Sequence, residues 1–123
     1  MRRVAIVLFA VAVLCAGFSM QGRTGWSGTY SVSGTNPGAG AYSGRLNITP
    51  RGDVYDVSWW IGKEHYTGVG IVVNDTLSIA YTSADRSWFG VASYRQRYDG
   101  TLDGRWAVQG GASVTGTEIA TRR

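Results

Sequence analysis

VYDVSWWI (residues 54–61), GK (62–63), EHYTGVGIVV (64–73), ND (74–75) and TLSIAYT (76–82) follow one another without a break through the middle of the chain. In the first piece Tyr55, Val57, Trp59 and Ile61 share one face, leaving Trp60 to point the other way. In the last piece Leu77, Ile79 and Tyr81 share a face. A period of two marks a strand with one buried side, and connections as short as Gly62-Lys63 and Asn74-Asp75 suit hairpins. The middle piece has no settled phase: Tyr66, Gly68, Gly70 and Val72 compete with Thr67, Val69, Ile71 and Val73.

Outward from this meander the pattern repeats. Seven turn-like clusters cut residues 24–122 into eight short segments, expected near Trp26–Ser33, Tyr42–Thr49, Val54–Ile61, Glu64–Val73, Thr76–Thr82 and Trp88–Tyr98, then one carrying Leu102 to Val108 and one carrying Val114 to Ala120. Glycine recurs in the apolar phase at Gly28, Gly44, Gly104 and Gly116, where curvature or lack of interior room would demand it. The fold expected is all-β: an eight-stranded antiparallel up-and-down β-barrel over residues 24–123, with an open sandwich as the competing architecture. Successive loops of such a barrel alternate between its ends. The longer loops at Thr35–Ala41, Ser83–Ser87 and Gln109–Ala112, with Gly62-Lys63, would form a mouth. Tight turns at Pro50–Asp53, Asn74-Asp75 and Asp99-Gly100 would form a floor, where Trp26 comes near Arg122.

The start of the chain reads differently. Met1-Arg2-Arg3 precedes the apolar run Val4 to Leu14 and the small residues Ala16, Gly17 and Ser19. This is the build of a signal peptide over residues 1–20, so the protein is expected to be exported, to a periplasm or the outside, with no membrane span in its mature form. Leu14 is too large for a lipobox before Cys15, and the only cysteine would leave with the signal. Net charge is +4, with two of the arginines in the signal, so a nucleic-acid partner is not expected.

Two resemblances follow from particular residues. Trp26 at the start of the first strand and Arg122 at the end of the last resemble the floor closure of lipocalin- and avidin-type barrels, and Tyr-Ser-Gly at 42–44 and Tyr-Thr-Gly at 66–68 are similar to avidin-like spacing. The segments GTYSVSGTNP (28–37), YTGVG (66–70), DGTLDGRW (99–106) and GTE (116–118) resemble small exported bacterial proteins, mostly uncharacterised, some of which are described as fibronectin-binding. That resemblance implies an adhesin-like protein partner and carries no binding residues with it.

The candidate ligand site is a mouth of aromatic strand ends: Tyr42, Trp59, Tyr66, Tyr81 and Trp88, with His65 beside them. These rings either line a cup for a small apolar ligand or simply fill the barrel, since eight-stranded interiors are just wide enough for side chains. Glu118 is the one charge in the inward phase of the last strand and is expected near the floor, paired with Arg105 or Arg122. Outward Trp60, rimmed by Arg95 and Arg97, is a candidate partner patch and could support a homodimer. A sole histidine and no mature cysteine give little to hold a transition metal, and no cofactor is expected. No nucleophile-elbow context accompanies His65, and Asp53 with Asp56, or Asp99 with Asp103, fit turn chemistry, so a non-enzymatic role is expected. Arg51-Gly52-Asp53 spells an integrin tripeptide but reads first as a hairpin turn, and Asn47-Ile48-Thr49 and Asn74-Asp75-Thr76 are glycosylation sequons by pattern.

Overall fold

Asn74 and Asp75 both hold positive φ, 52° and 59°. Two consecutive left-handed residues make the primed turn whose twist matches the strands it joins, and Asn and Asp tolerate it better than any residue but glycine. The hairpin it closes is the centre of the fold. The computed structural model describes residues 25–123; the expected signal peptide lies outside the described residues. Within them the strands are β1 (Gly28–Asn36), β2 (Gly40–Arg51), β3 (Val54–Ile61), β4 (Glu64–Val73), β5 (Thr76–Ser83), β6 (Phe89–Gln96), β7 (Leu102–Val108) and β8 (Gly116–Arg122). Each pairs antiparallel with the next and β8 returns to β1, so the sheet is a closed eight-stranded barrel. The seam runs from Tyr30 opposite Arg122 to Thr35 opposite Thr117, whose hydroxyls are 2.7 Å apart.

The bounds of β3 and β4 match the expectation, and the phase of β4 is now settled. Tyr66, Gly68 and Gly70 face in, while Val69, Ile71 and Val73 face out. Sterics decide this against hydrophobicity. A Cβ on Gly68 would stand 2.4 Å from the Ala80 carbonyl oxygen, and one on Gly70 would stand 2.9 Å from Ile79 Cγ1. There is no room inside for the valines.

The same economy recurs around the ring. Tyr42 lies opposite Gly34, Tyr81 opposite Gly90, Tyr94 opposite Gly104 and Trp106 opposite Gly116. In each pair a Cβ on the glycine would strike the facing ring, at 2.4, 2.7, 2.5 and 2.2 Å respectively. A glycine directly across the ladder gives a large ring a flat backbone to lie on.

The floor half is filled. Tyr30, Leu46, Leu77 and Leu102 are fully buried there, with Ile48, Val57 and Ile79 packed among them. Arg122 closes the base as expected, donating to the Ser27 carbonyl at 2.9 Å and to the carbonyl of Gly25. The ring beneath its guanidinium is Tyr30, 5.0 Å away, rather than Trp26. Trp26 packs against the core beside it, and its carbonyl accepts the Tyr30 hydroxyl at 2.7 Å. Turn chemistry accounts for the aspartates. Arg51 donates from Nε and Nη2 to Asp56 at 2.8 and 3.1 Å, Asp99 accepts the Thr101 amide at 2.9 Å, and Asp103 pairs with Arg97 at 3.0 Å.

Gly104→Ala tests the ring-on-glycine packing. Tyr94 is buried and its hydroxyl is held by Glu118, so the added methyl is expected to cost about 1–3 kcal/mol. Urea denaturation should show a lower midpoint at unchanged slope; an unchanged midpoint would mean the ring is free to shift.

Candidate binding cavity at the barrel mouth

Above the packed floor the barrel is open. A cavity of about 310 Å³ reaches from the mouth down to Ala92, Tyr94 and Glu118. Its rim is set by strand ends: Asn36 from β1, Ile61 from β3, Glu64 from β4 and Val108 from β7.

Two aromatic walls face each other. On one side Trp59, Tyr81, Trp88 and Tyr66 form a chain of tilted and edge-on rings. Centroids are 5.1 Å apart for Trp59–Tyr81, 6.0 Å for Tyr81–Trp88 and 5.2 Å for Tyr66–Trp88. Such geometries favour ring edges against ring faces. On the other side Tyr42 meets Trp106 edge-on at 6.2 Å. Trp88 stands outside any strand, on the β5–β6 loop. That loop is pinned: the Trp88 carbonyl accepts from the Ser83 amide at 3.3 Å and from Thr82 Oγ1 at 2.9 Å. Asp85 braces it, taking the Ser83 hydroxyl at 2.8 Å and the Ser87 hydroxyl and amide at 2.7 and 3.0 Å.

Glu118 lies at the bottom of the cup, 3% exposed, and its surroundings correct the expectation made for it. Among the described residues no arginine touches it. Oε1 accepts the Tyr42 hydroxyl at 2.7 Å; Oε2 accepts Trp59 Nε1 at 3.1 Å and the Tyr94 hydroxyl. The expectation failed because β8 begins at Gly116, not Val114, which makes Glu118 the third residue below the mouth. Arg122 is a further four positions down at the floor, and Arg105 alternates with the inward Gly104 and Trp106 and so faces solvent. Burial pushes the Glu118 carboxyl above its ordinary value, and the hydrogen bonds from Tyr94, Tyr42 and Trp59 offset only part of that. The same burial, with Glu118's negative charge behind it, raises the hydroxyls of Tyr42, Tyr81 and Tyr94. Tyr66 is pushed up to about 12, by burial first and then by Glu64.

Of the residues expected at the mouth, Tyr42, Trp59, Tyr66, Tyr81 and Trp88 do line the cavity. His65 does not. It alternates with inward Tyr66 and lies on the outer wall, stacked on Trp60 with 4.7 Å between ring centres and 14° between planes. Sequence reasoning left out Tyr94 and Trp106. Trp106 shares its phase with Leu102 and Gly104, and that alternation is the signal that finds it.

The expected outer patch does not assemble. Trp60 is flanked by its register partners, His65 on β4 and Arg45 on β2, whose guanidinium stands 4.6 Å from the indole. Arg95 is on β6, separated from β3 by two strands, and Arg97 beyond it is engaged with Asp103. Exposed apolar surface lies elsewhere on the wall, at Val69, Ile71 and Val73 of β4 and Phe89 and Val91 of β6, each between 44% and 58% exposed. Val69, Ala80, Val91 and Ala107 form one continuous cross-strand row through it.

Fold and cavity together define a closed eight-stranded β-barrel with a filled floor and an aromatic cup at its mouth. The chain is similar in structure to a redesigned β-barrel, b11L5F_LGL, at 17% identity and a TM-score of 0.69, covering 80% of this chain and 91% of that one. It is also similar to the redesigned β-barrel mFAP1 bound to DFHBI, at 18% identity and a TM-score of 0.66, covering 79% and 94%. No family model and no curated protein matches the chain.

The buried carboxyl has a measurable signature. Its folded pKa lies above the unfolded value, so the folded state holds the proton more tightly. That contribution to stability is complete below the unfolded pKa and is lost as pH rises through the raised one. Glu118→Gln cannot titrate. The stability of wild type relative to this variant should therefore fall in urea titrations as pH rises from the ordinary carboxylate value through the raised folded one. A difference that stays constant would show that burial does not perturb Glu118.

Proposed function

We propose that the protein is an exported, non-enzymatic binding protein that takes a small, largely apolar molecule into the cup at the barrel mouth. The observation that carries this reading is the 310 Å³ space between two aromatic walls, at the lower end of the size range usual for small-molecule sites. Apolar area removed from water there would supply most of the affinity, at about 25 cal/mol per Å². Tyrosine hydroxyls and Glu118 would orient the ligand. The barrel of similar fold bound to DFHBI supports the idea that this architecture accommodates a small molecule. Export is supported by the basic, apolar and small-residue succession from Met1 to Ser19.

The rim residue Trp88 is the best lever, because Trp59 also donates to the buried Glu118 and its removal would damage the core. N-phenyl-1-naphthylamine, a neutral aromatic fluorophore, should bind one to one with enhanced emission. Trp88→Ala should weaken it about tenfold, or about 1.4 kcal/mol, in a protein that still unfolds in one cooperative transition at a somewhat lower denaturation midpoint. Equal binding by wild type and variant would place the dye outside the cup.

The exposed row on β4–β6 favours a second reading, association with a second copy of the chain through that wall, since contiguous apolar surface of this kind marks interaction sites. Sedimentation velocity should then show a concentration-dependent dimer that Val91→Asp converts to monomer. A monomer at all concentrations would dismiss it.

A further inference from the structure

The charges of the chain are distributed unevenly about the cup. The sequence contains two glutamates, Glu64 and Glu118, and both line the cavity, one at the rim and one at the base. Among the described residues no aspartate lines it, and neither does any lysine, arginine or histidine, although the whole chain carries a net charge of +4. Lys63 and Arg86 sit on mouth loops yet stay off the lining. The interior field of the cup is therefore negative in a chain that is positive overall.

We infer that the cup selects organic cations: molecules with an aromatic or aliphatic body and a single positive nitrogen. The inference rests on the proposed small-molecule role of the same cavity and names its ligand class. Two independent features point to it. Tyr42, Trp106, Trp59, Tyr81, Tyr66 and Trp88 line one space, and the negative face of an aromatic ring attracts a cation once water is excluded. At the base, Glu118 has unspent capacity. Its Oε1 accepts only the Tyr42 hydroxyl, whereas Oε2 already accepts two donors, so the oxygen with a free lone pair belongs to a carboxylate with no cationic partner. A buried carboxylate without a countercharge is costly, and a bound cation supplies the missing charge. An anion would meet two carboxylates and no donor cation; a neutral ligand would leave the imbalance untouched.

Binding should then be linked to the ionisation of Glu118. The groups packed around that carboxyl are the hydroxyls of Tyr42 on β2, Tyr81 on β5 and Tyr94 on β6, the indole N–H of Trp59 on β3, and Trp106 on β7, with Tyr66 and Glu64 on β4 nearer the rim. The tyrosines lie above their ordinary range and stay neutral at working pH. Proton uptake by Glu118 on acidification therefore removes the charge at the base of the cup.

The experiment uses three probes of similar size: phenyltrimethylammonium, its uncharged isostere tert-butylbenzene, and benzenesulfonate. Quenching of tryptophan fluorescence reads occupancy, because Trp59, Trp88 and Trp106 line the cup. The cation is expected to bind at least tenfold more tightly than the isostere, and benzenesulfonate more weakly than either. Glu118→Gln should reduce cation affinity tenfold or more while changing the isostere less than threefold. A titration of wild type alone gives the same information without a variant: cation affinity falls on acidification through the carboxyl pKa, and isostere affinity does not. If cation and isostere bind equally, or respond equally to pH, charge selection is overturned and the apolar cup stands. If none of the three probes, nor the neutral fluorophore, enters, both readings fail together.

Discussion

Everything in this barrel depends on rings lying against glycines. An eight-stranded interior is just wide enough for side chains, and this one must admit Trp59, Trp88, Trp106 and several tyrosines. It does so by placing glycine across the ladder from Tyr42, Tyr81, Tyr94 and Trp106. Each pair converts two side-chain volumes into one. The ring lies over the neighbouring backbone instead of filling the lumen, so the walls become aromatic while the middle stays open. Without the glycines the same rings would be driven into the axis and the cup would close.

The second constraint is the carboxylate beneath those rings. Removing a charge from water costs several kcal/mol unless donors replace the solvent. Glu118 draws its donors from β2, β3 and β6, strands spaced around the barrel from its own position on β8. Ring placement and charge placement are thus coupled: Tyr94 can reach Oε2 only because Gly104 lets it lie flat, and Tyr42 can reach Oε1 only because Gly34 does the same. The carboxylate in turn divides the interior. Below it the lumen is filled, by aliphatic side chains and Tyr30; above it the lumen is aromatic and open.

How far this was legible in the chain depended on which physical signal each element carries. Asn74-Asp75 and Gly62-Lys63 announce their hairpins through backbone chemistry, so β3 and β4 were bounded correctly and the closed barrel followed. The phase of β4 was not legible from hydrophobicity, since its valines face solvent and its glycines face in. Interior room decided it, and room is a property of the neighbours Ala80 and Ile79. Glu118 was placed in the inward phase correctly but at the wrong height. Its strand carries no marker for its first residue, and a start two positions early drops every side chain toward the floor. His65 was grouped with the mouth because it neighbours Tyr66, although alternation puts adjacent residues on opposite sides of the wall.

The contrast between the acidic residues follows from side-chain length and local chemistry. Aspartate bonds to backbone a residue or two away, which is why Asp85 and Asp99 brace loops, and Asp56 and Asp103 sit outward where arginines reach them. Glutamate is poorer at such local bonding and long enough to extend from a strand into a lumen. Glu118 is the acceptor shared by the Tyr42, Trp59 and Tyr94 donors, so an apolar residue there would leave three buried donors unpaired, whereas an uncharged acceptor would meet them at lower desolvation cost. The donors account for an acceptor at this position; its negative charge, which no described arginine or lysine balances, is better accounted for by what enters the cavity beside it than by what holds the barrel together.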